Sequence, residues 1–356
     1  MMDIQIGRNR FAYQSYGFDD IALIPGMKTI DPVDTEISMH IGQHKFELPI
    51  LASAMDSTVD LNVVKEIHRL GGLAVMNMQG IQTKFENPED ALEKIRTAPV
   101  EKSTEVIQKL AAMPVQDELV VKRVKEIKEA GCIACGSFTP LKADSLGMKA
   151  VEAGLDILVI QSTVTSLKHE SSRFESLSLK EICAKVGIPV IIGNCVTYDV
   201  ALEIMRAGAS GILVGIGPGA TCTTRGVLAV GAGQVTSTAD TAAARDDYFK
   251  ESGRYVQVIT DGGISKGGDV VKAFASGADA VMIGTPFARA NESPGRGFHW
   301  GMATGHPTLP RGTRIEVKKL GTLEQLIVGP AVNCSDGSLN LVGALREAMG
   351  VLGCRN

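Results

Sequence analysis

The stretch KAVEAGLDILVIQS (residues 149–162) contains the pattern that decides the fold. A helix-forming segment ends at Gly154, and the apolar run 157–160 then leads to polar residues. Glycine is expected just past a helix C-terminus, where φ becomes positive. An apolar run without alternation indicates a strand that is buried on both faces, as in a parallel sheet covered by helices.

The same order of helix, glycine and strand recurs five more times. The repeats are EIHRLGGLAVMN (66–77), EIKEAGCIACGS (126–137), EICAKVGIPVIIGN (181–194), EIMRAGASGILVGIG (203–217) and KAFASGADAVMIGT (272–285). With ELPILASAMD (47–56) and YVQVITDGG (255–263), they predict eight strands that alternate with helices, which is typical of an α/β TIM (β/α)8 barrel. A doubly wound open sheet is the alternative, but no G-x-G-x-x-G follows the first strand. We expect one catalytic domain over residues 1–356.

Two segments interrupt this repeat. Residues 80–130 are polar and helix-prone, whereas residues 286–330 are rich in Gly, Pro, Arg and His. Long irregular segments inside a compact domain are usually functional loops. Because the second segment follows the eighth strand, it belongs to the face where barrel enzymes place their sites. We predict a short helical segment over 80–130 and an active-site flap over 286–330.

The composition suggests a cytoplasmic protein. The chain has 356 residues, 44% of them hydrophobic, and a formal net charge of −4, so a basic surface for nucleic acid is not expected. Seven cysteines, an odd number, favour a reducing compartment over a disulfide framework. The sequence offers neither a secretory signal nor an apolar stretch long enough to span a membrane. We therefore expect a cytoplasmic protein that binds neither nucleic acid nor membranes.

The segment GILVGIGPGATCTTR (211–225) is the strongest candidate for chemistry. Its glycines allow the backbone to approach a ligand closely. Cysteine is a strong nucleophile at neutral pH, and a loop lined with amides can favour its thiolate. A structural turn with an incidental, buried Cys222 is the alternative. On this loop alone, both interpretations stay open.

The segment GIGPGATCTTR (215–225) resembles the catalytic cysteine loop of the IMP dehydrogenase/GMP reductase family. Three other motifs resemble the same family and occur in its order: YGFDDIALIP (16–25), SAMDSTV (53–59) and TDGGISKGGDVVKAFASGADAVMIGTPFA (260–288). The resemblance implies a TIM barrel in which a thiolate attacks C2 of a purine nucleotide. Hydride then passes to or from a nicotinamide, and water or ammonia resolves the covalent thioimidate.

The resemblance also implies roles for individual residues. Cys222 would be the nucleophile, Thr224 would assist the water or leaving group, and Asp261 would hold the ribose hydroxyls, although a turn-forming role for Asp261 is the alternative. The other implied substrate contacts are Ser53, Met55, Asn194, Gly219, Ala220, Thr221, Gly263, Gly284, Thr285, Gly301 and Met302. The implied dinucleotide contacts are Gln161, Ser162, Thr163, Gly215 and Gly217. The carbonyls of Gly217, Gly219 and Cys222 match positions that bind potassium in relatives.

The residue that would activate water is the least determined part of the site. No tyrosine follows Tyr255, so the Arg-Tyr pair typical of the dehydrogenases is incomplete. Arg311 and Arg314 are the candidates for the arginine, with phosphate binding or a solvent-exposed position as the alternative. His306 is another candidate base, because a histidine titrates near neutral pH.

The resemblance is closest to a subgroup that lacks the tandem regulatory CBS domains, since residues 80–130 offer only about fifty positions. It implies an NAD-dependent IMP dehydrogenase that forms XMP and assembles as a homotetramer or homo-octamer. A GMP reductase that uses NADPH is one alternative, although residues 237–240 read STAD where reductases resemble I-E-C-A-D. A catalytically silent nucleotide-binding regulatory paralogue is the other alternative.

Overall fold

The computed structural model describes residues 3–172, 178–301 and 313–356. In chain order, the strands of these residues are β1 (Asp3–Gly7), β2 (Arg10–Tyr13), β3 (Met39–Ile41), β4 (His44–Phe46), β5 (Ile50–Ala52), β6 (Leu73–Ala74), β7 (Met76–Asn77), β8 (Cys135–Phe138), β9 (Ile157–Gln161), β10 (Val190–Cys195), β11 (Gly211–Val214), β12 (Gln257–Asp261), β13 (Ala280–Ile283), β14 (Phe298–Trp300) and β15 (Arg314–Glu316).

The strands β5 to β13 form one parallel sheet that closes on itself. Their order is β6-β5-β13-β12-β11-β10-β9-β8-β7. Only Val75 separates β6 from β7, so the two edges of the sheet are halves of one strand. Backbone bonds continue through the break, because Val75 N donates to Ala52 O at 3.1 Å and Met78 N donates to Ser137 O at 3.1 Å. The predicted TIM barrel is thus confirmed, and the open sheet is excluded.

The helices surround the barrel and connect its strands. They are α1 (Leu61–Arg69), α2 (Ile81–Lys84), α3 (Pro88–Thr97), α4 (Val100–Ala111), α5 (Asp117–Glu129), α6 (Pro140–Lys142), α7 (Met148–Glu152), α8 (Leu179–Lys185), α9 (Tyr198–Arg206), α10 (Thr224–Leu228), α11 (Gln234–Ser252), α12 (Gly267–Ala275), α13 (Thr285–Ala288), α14 (Leu323–Ile327) and α15 (Leu341–Leu352). The glycine that precedes each of the six repeated strands has a positive φ, between 66° and 108° (Gly71, Gly131, Gly154, Gly187, Gly208 and Gly277). The predicted helix-ending glycines are therefore confirmed.

Each barrel strand separates two hydrophobic layers. In β9, Ile157 and Val159 point into the barrel interior, whereas Leu158 and Ile160 pack against the outer helices. This arrangement explains why the apolar run does not alternate with polar residues. Side chains of the β3–β4 hairpin, including Ile41 and Phe46, join the interior cluster.

The segment between β7 and α5 contains α2, α3 and α4. Their apolar faces form a third cluster that includes Leu92, Ile95 and Ile107 and encloses Trp300, which is 3% exposed. Trp300 belongs to β14, which pairs with β15 in an antiparallel hairpin. The helical segment and the chain beyond the eighth strand therefore pack against each other. Over the residues described, no helix combines the length and the apolar character needed to cross a bilayer.

Candidate active site

One cavity of about 1000 Å³ opens where the barrel strands end. Barrel enzymes place their sites at this carboxyl end of the strands, because the loops that follow the strands converge there. With the exception of Arg314, every predicted site residue in the described part of the chain lines this cavity: Ser53, Met55, Gln161, Ser162, Thr163, Asn194, Gly215, Gly217, Gly219, Ala220, Thr221, Cys222, Thr224, Asp261, Gly263, Gly284, Thr285 and Gly301. The fold thus gathers residues that are up to about 250 positions apart in sequence.

The Cys222 loop runs from the end of β11 to the start of α10. Its turn is closed by a hydrogen bond from Cys222 N to Gly219 O at 3.0 Å. The thiol is exposed, and Sγ lies 3.3 Å from the buried Thr224 Oγ1. Cys195, by contrast, is buried, and this burial raises the pKa of its thiol to about 12. Cys222 is therefore no incidental core cysteine, because its sulfur faces the cavity beside a hydroxyl group.

The Cys222 loop packs against the turn that follows Asp261. Gly262 and Gly263 both have positive φ, 86° and 78°. A Cβ at Gly262 would lie 3.1 Å from Pro218 Cγ, and one at Gly263 would lie 3.1 Å from Pro218 Cβ. Only glycine combines this backbone conformation with such a close approach. The two glycines therefore bring the cysteine loop directly over the end of β12.

Asp261 belongs to a hydrogen-bonded cluster contributed by three barrel strands. Its Oδ2 accepts from Asn194 Nδ2 at 2.8 Å and from Gln161 Nε2 at 3.1 Å. Burial raises the pKa of Asp261 to about 6, although the two amide donors oppose that shift. The carboxylate is therefore held in place by side chains from β9 and β10.

Asp56 supports the neighbouring loop at the end of β7. Its Oδ1 accepts from Ile81 N at 3.1 Å, and a Cβ at Gly80 would lie only 2.0 Å from that oxygen. Burial raises the pKa of Asp56 to about 6, with Lys84 opposing the shift. Sequence reasoning missed this residue, because an aspartate after a strand gives no signal of its burial.

His299 connects two loops of the cavity. It is 1% exposed, its Nδ1 lies 2.8 Å from Ser57 Oγ, and its Nε2 lies 3.5 Å from Thr221 Oγ1. Burial lowers the pKa of His299 to about 4, so the ring is neutral at physiological pH. His299 thus links the loop after β5 to the residue that precedes Cys222.

Three predicted residues meet between β5 and β13. A Cβ at Gly284 would lie 3.2 Å from Met55 Sδ and 3.6 Å from Ser53 Oγ. Ser53 N also donates to Ile283 O at 2.9 Å, which extends the pairing of these two strands. The absence of a side chain at Gly284 therefore allows Met55 and Ser53 to pack closely against the backbone at this edge of the cavity.

The structure places Arg314 outside the cavity lining. Its guanidinium donates to the backbone oxygens of Ile95, Arg96 and Ala98 at the end of α3. It also lies over the Phe298 ring, 4.3 Å from the ring centroid. Arg314 therefore joins β15 to the helical segment, and these contacts occupy several of its donors. Met302, His306 and Arg311 lie outside the described residues.

One wall of the cavity comes from the inserted helices. Ile107, Leu110, Met113 and Pro114 from α4 and the following loop line the cavity. Sequence reasoning missed this wall, because apolar residues on an amphipathic helix look like ordinary core residues. Only the packing of these helices above the barrel reveals their position.

Comparisons with known proteins identify the family. The model of the IMP dehydrogenase/GMP reductase domain matches residues 15–304. An uncharacterised oxidoreductase of Mycobacterium tuberculosis is 37% identical over 98% of this chain and 96% of its own length. An inosine-5'-monophosphate dehydrogenase of Cryptosporidium parvum is 28% identical over 94% of this chain and 87% of its own length.

A solved structure is similar over nearly the whole chain. It is the crystal structure of an IMP dehydrogenase/GMP reductase-like protein from Corynebacterium glutamicum, with a TM-score of 0.93 and 35% sequence identity. The match covers 99% of this chain and 94% of that one. The chain therefore belongs to the IMP dehydrogenase/GMP reductase family of oxidoreductases.

Proposed function

We propose that the protein is an NAD-dependent IMP dehydrogenase, which converts IMP, NAD+ and water to XMP, NADH and a proton. The observation that carries this proposal is the exposed Cys222 thiol, which lies in one cavity with the Asp261 cluster. A nucleophile and a ribose acceptor in one cavity suit a covalent reaction on a nucleotide.

In this mechanism, the Cys222 thiolate adds to C2 of IMP and forms a carbon–sulfur bond. Bound NAD+ supplies the hydride acceptor. The C2–H bond of the adduct would break as its hydride passes to this acceptor, which leaves a thioimidate. Water then adds to C2 and gives up a proton to a base, the carbon–sulfur bond breaks, and XMP leaves the regenerated thiolate. Thr224 Oγ1 is well placed to assist, because it lies 3.3 Å from the sulfur and can hydrogen-bond to the thiolate or to water. Arg311 and His306 remain the candidates that would activate the water.

The ionised Asp261 would accept hydrogen bonds from the ribose hydroxyls. Backbone groups at Gly219, Gly263 and Gly284, together with Thr285, would surround the 5′-phosphate. The cavity of about 1000 Å³ is at the upper end of the usual range for small-molecule sites, roughly 300–1,000 Å³. It therefore has room for a mononucleotide beside the nicotinamide half of NAD, near Ser162, Thr163, Gly215 and Gly217.

A potassium ion would suit the carbonyls of Gly217, Gly219 and Cys222, because carbonyl oxygens are ligands for hard cations. The Gly219 carbonyl already accepts from Cys222 N at 3.0 Å, and its second lone pair can face an ion. A higher rate in potassium than in sodium at equal ionic strength would support this site.

A homotetramer or homo-octamer is part of the same proposal. It is supported by the β1–β2 hairpin, whose side chains Ile6, Phe11 and Tyr13 are 67%, 61% and 64% exposed. Large apolar side chains that cluster on a surface favour association. Light scattering coupled to size exclusion would measure the mass, and a monomer would contradict this part.

The decisive experiment mixes purified protein with IMP and NAD+ and follows the absorbance of NADH. Formation of NADH together with XMP is expected. Loss of NADPH with GMP, without any NADH from IMP, would identify a GMP reductase instead. Nucleotide binding without turnover in either direction would indicate a regulatory binding protein.

A further inference from the structure

Gln161 ends β9, and its side chain joins the Asp261 cluster in the wall of the cavity. It is 7% exposed. Its Nε2 donates to Asp261 Oδ2 at 3.1 Å and to Asn194 Oδ1 at 3.1 Å. Since a primary amide has two N–H donors, both are engaged within the protein.

The orientation of the Gln161 amide follows from its neighbours. On the other side, Ser137 Oγ donates to Gln161 Oε1 at 3.5 Å. A flipped amide would place Oε1 against the Asp261 carboxylate, where two acceptors would repel each other. Both N–H donors of the Gln161 side chain are therefore directed at protein groups, which leaves neither of them to donate to a dinucleotide.

The cluster holds one oxygen of Asp261 and leaves the other available. Oδ2 receives the bonds from Gln161 and Asn194, whereas no donor in the described part of the chain reaches Oδ1. Asn194 is itself oriented from both sides, because its Oδ1 accepts from Gln161 and its Nδ2 donates to Asp261. Gln161 thus closes a triangle of side chains that fixes the plane of the carboxylate.

We propose that Gln161 is a positioning residue that orients Asp261 toward the ribose diol of the nucleotide, and that it does not hold the dinucleotide. This inference rests on the proposed binding of IMP, and it changes the role that the family resemblance implies for Gln161. A carboxylate at this position would lie about as close to Asp261 as the amide does, and the two charges would repel each other. The neutral amide of Gln161 favours the ionised form of Asp261 and fixes the orientation of its carboxylate.

The test is equilibrium binding of IMP and of 2′-deoxy-IMP, measured by calorimetry without any dinucleotide. Gln161→Met has a similar volume but no donor. We expect Gln161→Met to weaken IMP binding about tenfold, the cost of one hydrogen bond to a charged group. Binding of 2′-deoxy-IMP should change much less, so the preference for IMP should fall. If Gln161 only supports the fold, Gln161→Met should weaken the binding of both ligands equally. That result would overturn the proposal, as would unchanged binding of both ligands.

The pH dependence of IMP binding gives a second readout. Because Gln161 stabilises the ionised form of Asp261, its removal raises the pKa of Asp261. The pH below which the affinity for IMP falls should therefore be higher in Gln161→Met than in the wild type. If that variant does not fold, Gln161→Glu keeps the shape, and its IMP affinity should drop at high pH and recover in acid, where the two carboxyls share a proton. A pH profile identical to that of the wild type would contradict the proposal.

Gln257→Leu is the matched control, since Gln257 begins β12 at the opposite end from Asp261 and should leave the preference for IMP unchanged. Binding of IMP without formation of NADH would refute the dehydrogenase but not the role of Gln161. A wild-type protein that does not distinguish IMP from its 2′-deoxy analogue would overturn the role of Gln161, even if NADH is formed.

Discussion

The two halves of the cavity differ in how firmly their polar groups are held. The Asp261 cluster is tied by side-chain hydrogen bonds from two neighbouring strands, with Gln161 and Asn194 almost fully buried. The Cys222 loop presents an exposed thiol, which among the described residues has one side-chain hydrogen bond, to Thr224. The half that would bind the ribose is thus preorganised, whereas the half that would do the chemistry is open. This division suits a reaction in which a hydride acceptor and then water must reach the carbon bound to Cys222 in succession.

The largest effect is expected for a substitution of Cys222, which should change turnover without changing nucleotide binding. Cys222→Ala should lower turnover by at least about a thousandfold, because the substitution removes the nucleophile of the proposed covalent step. IMP binding, measured by calorimetry, should stay within a few-fold of the wild type. The exposed Cys354 lies outside the cavity lining, so Cys354→Ala is the matched control. Substantial activity in Cys222→Ala would refute the covalent mechanism.

A change in the other half should act on binding and on stability in opposite directions. Asp261→Asn should weaken IMP binding about a hundredfold, the loss of two hydrogen bonds to a charged acceptor. The folded-state pKa of Asp261, about 6, lies above its ordinary value of 3.8, so the folded protein binds a proton more readily than the unfolded chain. Its stability therefore falls as the pH rises through that window.

At neutral pH, Asp261→Asn should accordingly raise the free energy of unfolding, by on the order of 2 kcal/mol. Urea unfolding at pH 7 measures this change. A variant that is both less stable and weaker in binding would show that Asp261 is a structural residue, and the contrast between the two halves would disappear.

Thr224→Val tests whether the hydroxyl beside the sulfur contributes to the chemistry. The substitution keeps the shape and removes one hydrogen bond, so we expect kcat to fall about tenfold with little change in KM for IMP. Thr223→Val is the control, because the Thr223 hydroxyl makes no bond to Cys222 within the described residues. Equal losses in both variants would indicate a general disturbance of the loop.

The smallest effect is expected at His299, which joins the two loops. His299→Gln can keep a bond to Ser57, so kcat should fall about threefold or less. The pKa of His299 is lowered from 6.5 to about 4. As the pH falls through this window, the unfolded chain takes up a proton that the folded protein does not, and stability is lost.

The stability of His299→Gln should therefore decline less steeply than that of the wild type between about pH 6.5 and 4. Urea midpoints across this range would measure the difference. Parallel curves for the two proteins would contradict a buried, neutral His299.

Sequence patterns sufficed for the barrel because each βα unit is decided locally. The glycines that end the helices and the apolar runs that follow them are separated by only a few residues, and each reflects a backbone or burial requirement of its own unit. The same reasoning placed Asn194 and Asp261 at strand ends and Cys222 in the loop after a strand, where a closed barrel must bring them together. It could not place Arg314, since the acceptors of that guanidinium lie more than 200 residues away in sequence.

The sequence by itself determined the eight βα units, the cysteine loop and the family, because these depend on short stretches of chain. Only the tertiary structure decided that Gln161 faces Asp261, that His299 is buried and neutral, and that α4 lines one side of the cavity. These features depend on which side chains from distant strands share a small, poorly solvated volume, where each polar group must find a partner. Closure of the barrel brings these partners together, and no local sequence pattern predicts which side chains will meet.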